Sequence, residues 1–133
     1  MAVTSQDFLS LAKELSTRQE EICWRGAVSR AYYCIYHECQ FLREKLPEAP
    51  YDSDPKGIHD RFIKQFTTYT GNDELSRGIR AIGYILATFK DIRTEADYEI
   101  EHSFRQRTVQ EAFQYVENIR KKLQQLENLQ QHR

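Results

Sequence analysis

Arg30, Tyr33 and His37 follow one another at intervals of three and four residues, so a helix would set them on one surface. A guanidinium, a phenol and an imidazole side by side could hold an anion or move a proton; they could equally complete a packed or solvated face. A second polar group, Arg93, Asp97 and Tyr98, stands much later in the chain. Two arrangements of these residues are open, and they are not exclusive. In one, Arg30 and Asp97 form a structural ion pair, with Tyr98 hydrogen-bonded at the edge of the molecule. In the other, Arg93 stabilises the charge of a phosphate while a nearby acid, His or Tyr handles protons, which is what metal-free RNA cleavage by the 2′-hydroxyl requires. A cation at Arg93 also suits the end of a helix, whose last carbonyls carry partial negative charge.

Other chemistries find less footing. A di-metal carboxylate site needs a Glu-x-x-His pair on each of two helices, and only Glu99-Ile-Glu-His102 fits clearly. Cys34, His37 and Cys39 have the look of ligand spacing, but at 100° per helical residue they point roughly 60° to 160° apart and cannot converge on one ion. Cys23, Cys34 and Cys39 fall on one helix, cannot pair with each other and lack the flanking charge of an activated thiolate, so buried, inert thiols are expected. No glycine-rich phosphate loop and no nucleophile elbow is present. No metal and no cofactor is expected.

The elements that must position these groups are read from apolar spacing. Thr4-Ser-Gln-Asp7 has the form of a capping box and opens a helix through Phe8, Leu11, Ala12 and Leu15 that ends near Ser16. Thr17-Arg-Gln-Glu20 repeats that form ahead of Trp24, Val28, Ala31, Tyr32, Ile35, Cys39 and Leu42, the second helix. Leu46 to Pro55 carries all three prolines of the chain and predicts a connection. Ile58, Phe62, Ile63 and Phe66 mark a shorter third helix that stops before Gly71, with Asn72 or Asp73 capping the fourth. That fourth helix bears Leu75, Ile79, Ile82, Leu86, Phe89 and Ile92, its Gly78 and Gly83 suited to close helix contact. Arg93 to Arg107 is polar and loses the period, and Thr108-Val-Gln-Glu111 opens a last helix through Leu126, fraying from Gln124 to Arg133. The pattern predicts an all-α fold, an up-and-down antiparallel bundle of four to five helices forming a single domain over residues 1–133.

Composition bounds what such a bundle could do. The 133 residues are 40% hydrophobic and 29% charged, enough for one core without disulfides or metal. The formal net charge of −1 gives no global basic footprint, so any contact with RNA must be local. No apolar run approaches the roughly 18 to 20 residues that span a bilayer, and the first residues lack the blocks of a signal peptide. A cytoplasmic protein without membrane contact is expected.

Three segments carry a resemblance. Arg25-Gly-Ala-Val-Ser-Arg-Ala-Tyr-Tyr-Cys-Ile-Tyr-His37 resembles the second-helix signature of small prokaryotic HEPN proteins, in which Ser-Arg-Ala-Tyr-Tyr precedes a Phe-His or Tyr-His pair. His59-Asp-Arg-Phe-Ile-Lys-Gln-Phe66 is similar to their His-x-x-Val-Ile-x-x-Phe segment, and Arg93-Thr-Glu-Ala-Asp-Tyr98 to their Arg-x-x-Ala-Asp-Tyr segment. The resemblance implies a helical bundle that forms a homodimer and acts with a minimal nucleotidyltransferase partner, in several branches as a metal-independent RNase toxin. Such RNases carry an Arg followed after four to six residues by His; here Asp97 and Tyr98 follow Arg93, and the next histidine is His102. Arg93, Asp97 and Tyr98 are therefore the candidate catalytic residues, and Arg30, Tyr33, His37 and His102 the candidates for nucleotide or RNA contact. In some toxin branches a tyrosine just beyond the His is modified by the nucleotidyltransferase, and Tyr98 holds the matching position. The reading from a different class is a non-catalytic helical protein-interaction module whose polar cluster only fixes the bundle.

Overall fold

A computed structural model describes residues 2–50 and 57–131, and among these every regular element is helical. The helices are α1 (Ser5–Ser16), α2 (Glu21–Arg43), α3 (Ile58–Thr67), α4 (Glu74–Tyr98) and α5 (Gln106–Gln131). The protein is thus an all-α bundle, as the patterning predicts, and no helix among the described residues is long and apolar enough to cross a membrane.

Local chemistry explains where the helices begin and stop. Thr4 forms the expected capping box, its hydroxyl accepting from Asp7 N while the Asp7 carboxylate accepts from Thr4 N at 2.7 Å. Asp73 caps α4 by accepting from Ser76 N at 2.9 Å. Thr17 does not open α2: its hydroxyl and N–H both bond carbonyls of the last turn of α1, and Glu20 precedes α2 without a side-chain cap. The expected connection Leu46–Pro55 lies partly outside the described residues; its described part is not helical.

Two further boundaries differ from expectation for a shared reason. α4 continues to Tyr98, because Arg93 and Ala96 extend the buried row of Ile79, Ile82, Leu86 and Phe89. An arginine that faces the core breaks an apolar count without breaking the helix. α5 starts at Gln106, two residues before the expected cap, and stays helical to Gln131 because buried Leu126 packs where α4 offers Gly78. A Cβ on Gly78 would lie 2.6 Å from the Leu126 side chain, and one on Gly83 would lie 2.8 Å from Phe66 and the backbone of Thr67. Both glycines buy close approach, as their placement suggests.

Contacts set the helix directions. α2 is central: Ser5 at the start of α1 donates to Glu38 near the end of α2, and Trp24 near its start donates to Arg18 O just past α1, so α1 and α2 are antiparallel. α4 is also antiparallel to α2, with Phe89 against Tyr32 and the end of α4 against Arg25. α3 and α5 run in the same sense as α2, matched by Tyr32 with His59 and Arg43 with Gln65 on one side, and by Glu21 with Phe104 and Glu38 with Arg120 on the other. The core between them is built from Tyr32, Ile35, Phe62, Phe66, Leu86 and Phe89 among others.

Arg120 holds Glu38 with bonds of 2.9 and 2.6 Å, and Ser5 and Cys34 donate to the same carboxylate, so one acid ties α1, α2 and α5 together. Burial raises the pKa of Glu38, but these hydrogen bonds outweigh it and hold the group below the usual carboxylate range. A folded pKa below the unfolded one contributes stability that is complete above the ordinary carboxylate range and is lost as pH falls through the depressed value. Arg120→Met should cost about 2 kcal/mol at neutral pH. In urea titrations at several pH values, its deficit relative to wild type should shrink on acidification; a constant deficit would show that the pair is not what stabilises the junction.

Candidate functional site

The C-terminal end of α4 is fastened before it can form a site. The last carbonyls of a helix have no partner within it. Arg25, only 5% exposed on α2, bonds the carbonyls at and just past that end: Nη1 donates to Ala96 O and to Glu95 O, which also accepts from Glu99 N, each at 3.1 Å, and Nη2 to Glu99 O at 3.2 Å and to His102 O. Glu21 accepts from the same guanidinium at 3.2 Å and from Phe104 N at 2.5 Å, and the Phe104 ring lies 5.1 Å below the Arg25 charge. One buried fork therefore stops α4, shapes residues 99–104 and joins both to the start of α2. Only a planar group with several fixed donors can reach four carbonyls at once.

With that end fixed, the register of α4 places Arg93 against α2. Arg93 is 5% exposed, and its guanidinium carbon lies 5.3 Å from the ring centre of Tyr32, 5.7 Å from Tyr33 and 5.9 Å from Tyr98. Asp97 accepts from its Nη1 at 3.5 Å, one helical turn away. Its Nε is buried and has no hydrogen-bond partner among the described residues. An unmet buried donor costs about 1–3 kcal/mol, and such a group in a folded protein calls for a reason.

The expected Arg30–Asp97 ion pair is not formed. Asp97 pairs with Arg93, which shares its helix, and Ser29 stands between Asp97 and Arg30: the Ser29 hydroxyl donates to Asp97 Oδ2 at 3.1 Å and accepts from Arg30 Nη2 at 3.3 Å. Arg30 instead stacks over Phe8 at 5.6 Å and Tyr33 at 5.2 Å. Tyr33 thus has a guanidinium against it from each of two helices. Arg30 and Arg93 flank its ring, and Asp97 is bonded to Arg93 directly and linked to Arg30 through Ser29.

Around this centre the other candidates divide. Tyr33 and His37 do share a face, 6.5 Å apart, with His37 exposed and tilted on Phe8 at 5.1 Å. Tyr98 is 71% exposed and borders a shallow hollow of about 220 Å³ lined by Tyr98, Glu99, Ile100, Glu101 and His102. His102 is therefore beside Tyr98, in the turn that Arg25 secures, and is not in contact with Arg93. Glu99 and His102 belong to that turn, and among the described residues no three His, Cys, Asp or Glu side chains gather as metal ligands. Of the three thiols expected to be buried, Cys34 and Cys39 are and Cys23 is only half-buried; burial, then the charge of Glu38, pushes the Cys34 thiol up to about 12.

His59 joins the cluster without having been marked by spacing, since it arrives from α3. Its Nδ1 lies 3.0 Å from the Tyr32 hydroxyl, and its ring packs on Tyr32, Tyr33 and Tyr36 at 4.9 to 5.7 Å. Burial, then the charges of Arg93 and Lys90, lower its pKa, so the imidazole is neutral near pH 7. Burial raises the pKa of Tyr32 well above that of a free phenol. No family model matches the chain, and neither does any curated protein or solved structure.

Arg25→Lys tests how the site is held. A lysine keeps the charge but cannot span carbonyls on both sides of the turn, so it should lower the unfolding free energy by about 2–4 kcal/mol. Amide exchange should rise first at residues 96–104; uniform loss across the bundle would mean that Arg25 has no special hold on the end of α4.

Proposed function

We propose that the chain is a HEPN-type homodimer that binds a phosphate of a nucleotide or of RNA through Arg93, with Asp97 and Tyr98 beside it, and works with a nucleotidyltransferase-like partner. The observation that carries this reading is the buried Arg93 guanidinium whose Nε donor has no acceptor among the described residues. A phosphate oxygen would meet it, in surroundings where weak solvent screening makes one charge count for more than it does at a surface.

Two further observations support the reading. The three segments that resemble HEPN proteins lie on α2, α3 and α4, and residues from all three meet at Tyr32 and Tyr33. Tyr98 offers an exposed ring on which a base could stack and a phenol within reach of a modifying partner. For RNA cleavage without metal, the 2′-hydroxyl would give its proton to the Asp97 carboxylate and attack the adjacent phosphorus, and the P–O5′ bond would break as the 5′-oxygen takes a proton from water; Arg93 would stabilise the charge that builds on the phosphate. A second reading, a non-catalytic helical interaction module, draws on exposed Phe41 beside a hollow of about 460 Å³ between the ends of α2 and α5.

The test uses a fluorescent single-stranded oligoribonucleotide in EDTA, followed by anisotropy for binding and by gel for cleavage. Wild type should bind, and Arg93→Gln, shown to be folded by circular dichroism, should bind at least about tenfold more weakly. Equal affinity of the two proteins, or no binding by wild type to RNA or to nucleoside monophosphates, would favour the interaction module.

A further inference from the structure

We infer that His59 is a second ligand-binding group of the Arg93 site, donating from Nε2 to the same phosphate that Arg93 holds. The inference rests on the functional reading above and adds to it a residue from a third helix.

The geometry begins with Tyr32. Its hydroxyl sits at the buried end of a core side chain, and among the described residues its one partner is His59 Nδ1 at 3.0 Å. A buried phenol that keeps its proton must donate it, because an unmet hydroxyl there would cost as much as any other lost hydrogen bond. Tyr32 is therefore the donor and Nδ1 the acceptor. A neutral imidazole has one N–H, so accepting at Nδ1 leaves the proton on Nε2. The core thereby fixes the tautomer of a half-buried histidine and leaves a donor on the opposite edge of the ring with no partner among the described residues.

That donor belongs with Arg93. Both side chains pack on the same two rings: Arg93 lies 5.3 and 5.7 Å from Tyr32 and Tyr33, and the His59 ring 5.4 and 5.7 Å from them. Among the described residues the rings of Tyr32, Tyr33 and Tyr36 of α2 pack on His59, and the charges that act on it are those of Arg93 and Lys90 of α4. None of these accepts from Nε2. Surroundings that are cationic and rich in donors suit an anion with several acceptor oxygens, and a phosphate is that ligand.

Two variants separate the parts of this argument. In His59→Asn the amide takes the place of Nδ1, so Tyr32 keeps a partner while the Nε2 donor is lost. In His59→Gln the amide nitrogen takes the place of Nε2. Measured with the oligoribonucleotide in EDTA, His59→Asn should bind about tenfold more weakly than wild type and His59→Gln within about threefold of it. In wild type, saturation with the RNA should raise the His59 pKa in an NMR titration, because a nearby anion favours the imidazolium. If Arg93→Gln loses binding while His59→Asn matches wild type, His59 is no ligand group and the functional reading stands alone. If wild type binds no RNA, both fall.

Discussion

Burying a guanidinium is costly unless acceptors meet it, and Arg25 is met by Glu95 O and Ala96 O in the last turn of α4 and by Glu99 O just beyond it. Much follows from this one exchange. It decides where α4 ends, and it pulls residues 99–104 back over the start of α2, with Glu21 closing the arrangement through Phe104 N. It also sets the register between α2 and α4, so that Ser29, Tyr32 and Tyr33 face Arg93 and Asp97. The pair of helices is locked by a charge satisfied by backbone, and the neighbouring charge is left less well satisfied.

The contrast between the two buried arginines is the basis of the functional argument. They have nearly the same burial and both stack on aromatic rings, yet Arg25 donates to four carbonyls and a carboxylate, whereas Arg93 has one carboxylate at 3.5 Å and an unmet Nε. A structural role explains the first completely. The second carries a donor unmet among the described residues, in a cluster where Arg30 stacks on the same Tyr33 ring and Asp97 is the ion-pair partner of Arg93. Tyr33 between the two cations and the exposed ring of Tyr98 give the Arg93 guanidinium an aromatic lining.

Much of the fold is legible in the sequence because apolar residues recur at helical spacing: the row from Leu75 to Phe89 and the row from Trp24 to Leu42 each describe a real buried face. Legibility fails where a charged residue occupies a core position. Arg93 hides the last turns of α4 for that reason, and Arg25 goes unmarked although it fixes the most contacts. Thr17 resembles a cap by composition, but its hydroxyl is taken by the helix before it. The candidate site is half legible. Arg93, Asp97 and Tyr98 lie on one helix and can be grouped by spacing, whereas Ser29 bonds Asp97 and His59 bonds Tyr32 across helices, and no spacing within a single segment reports that. Spacing leaves the partner of Asp97 open between two arginines, because one-dimensional order does not say which of them turns inward.

If the Arg93 Nε–H is the donor that takes a phosphate, its own resonance must respond to one. Nitrogen-detected NMR of the arginine side chains, with Arg93 assigned by substitution, observes that group directly during titration with a nucleoside 5′-monophosphate in EDTA. The account predicts that the Arg93 Nε–H resonance shifts downfield and exchanges more slowly with water as ligand is added, while that of Arg25 stays where it was. An Arg93 resonance unmoved at saturating ligand would contradict it.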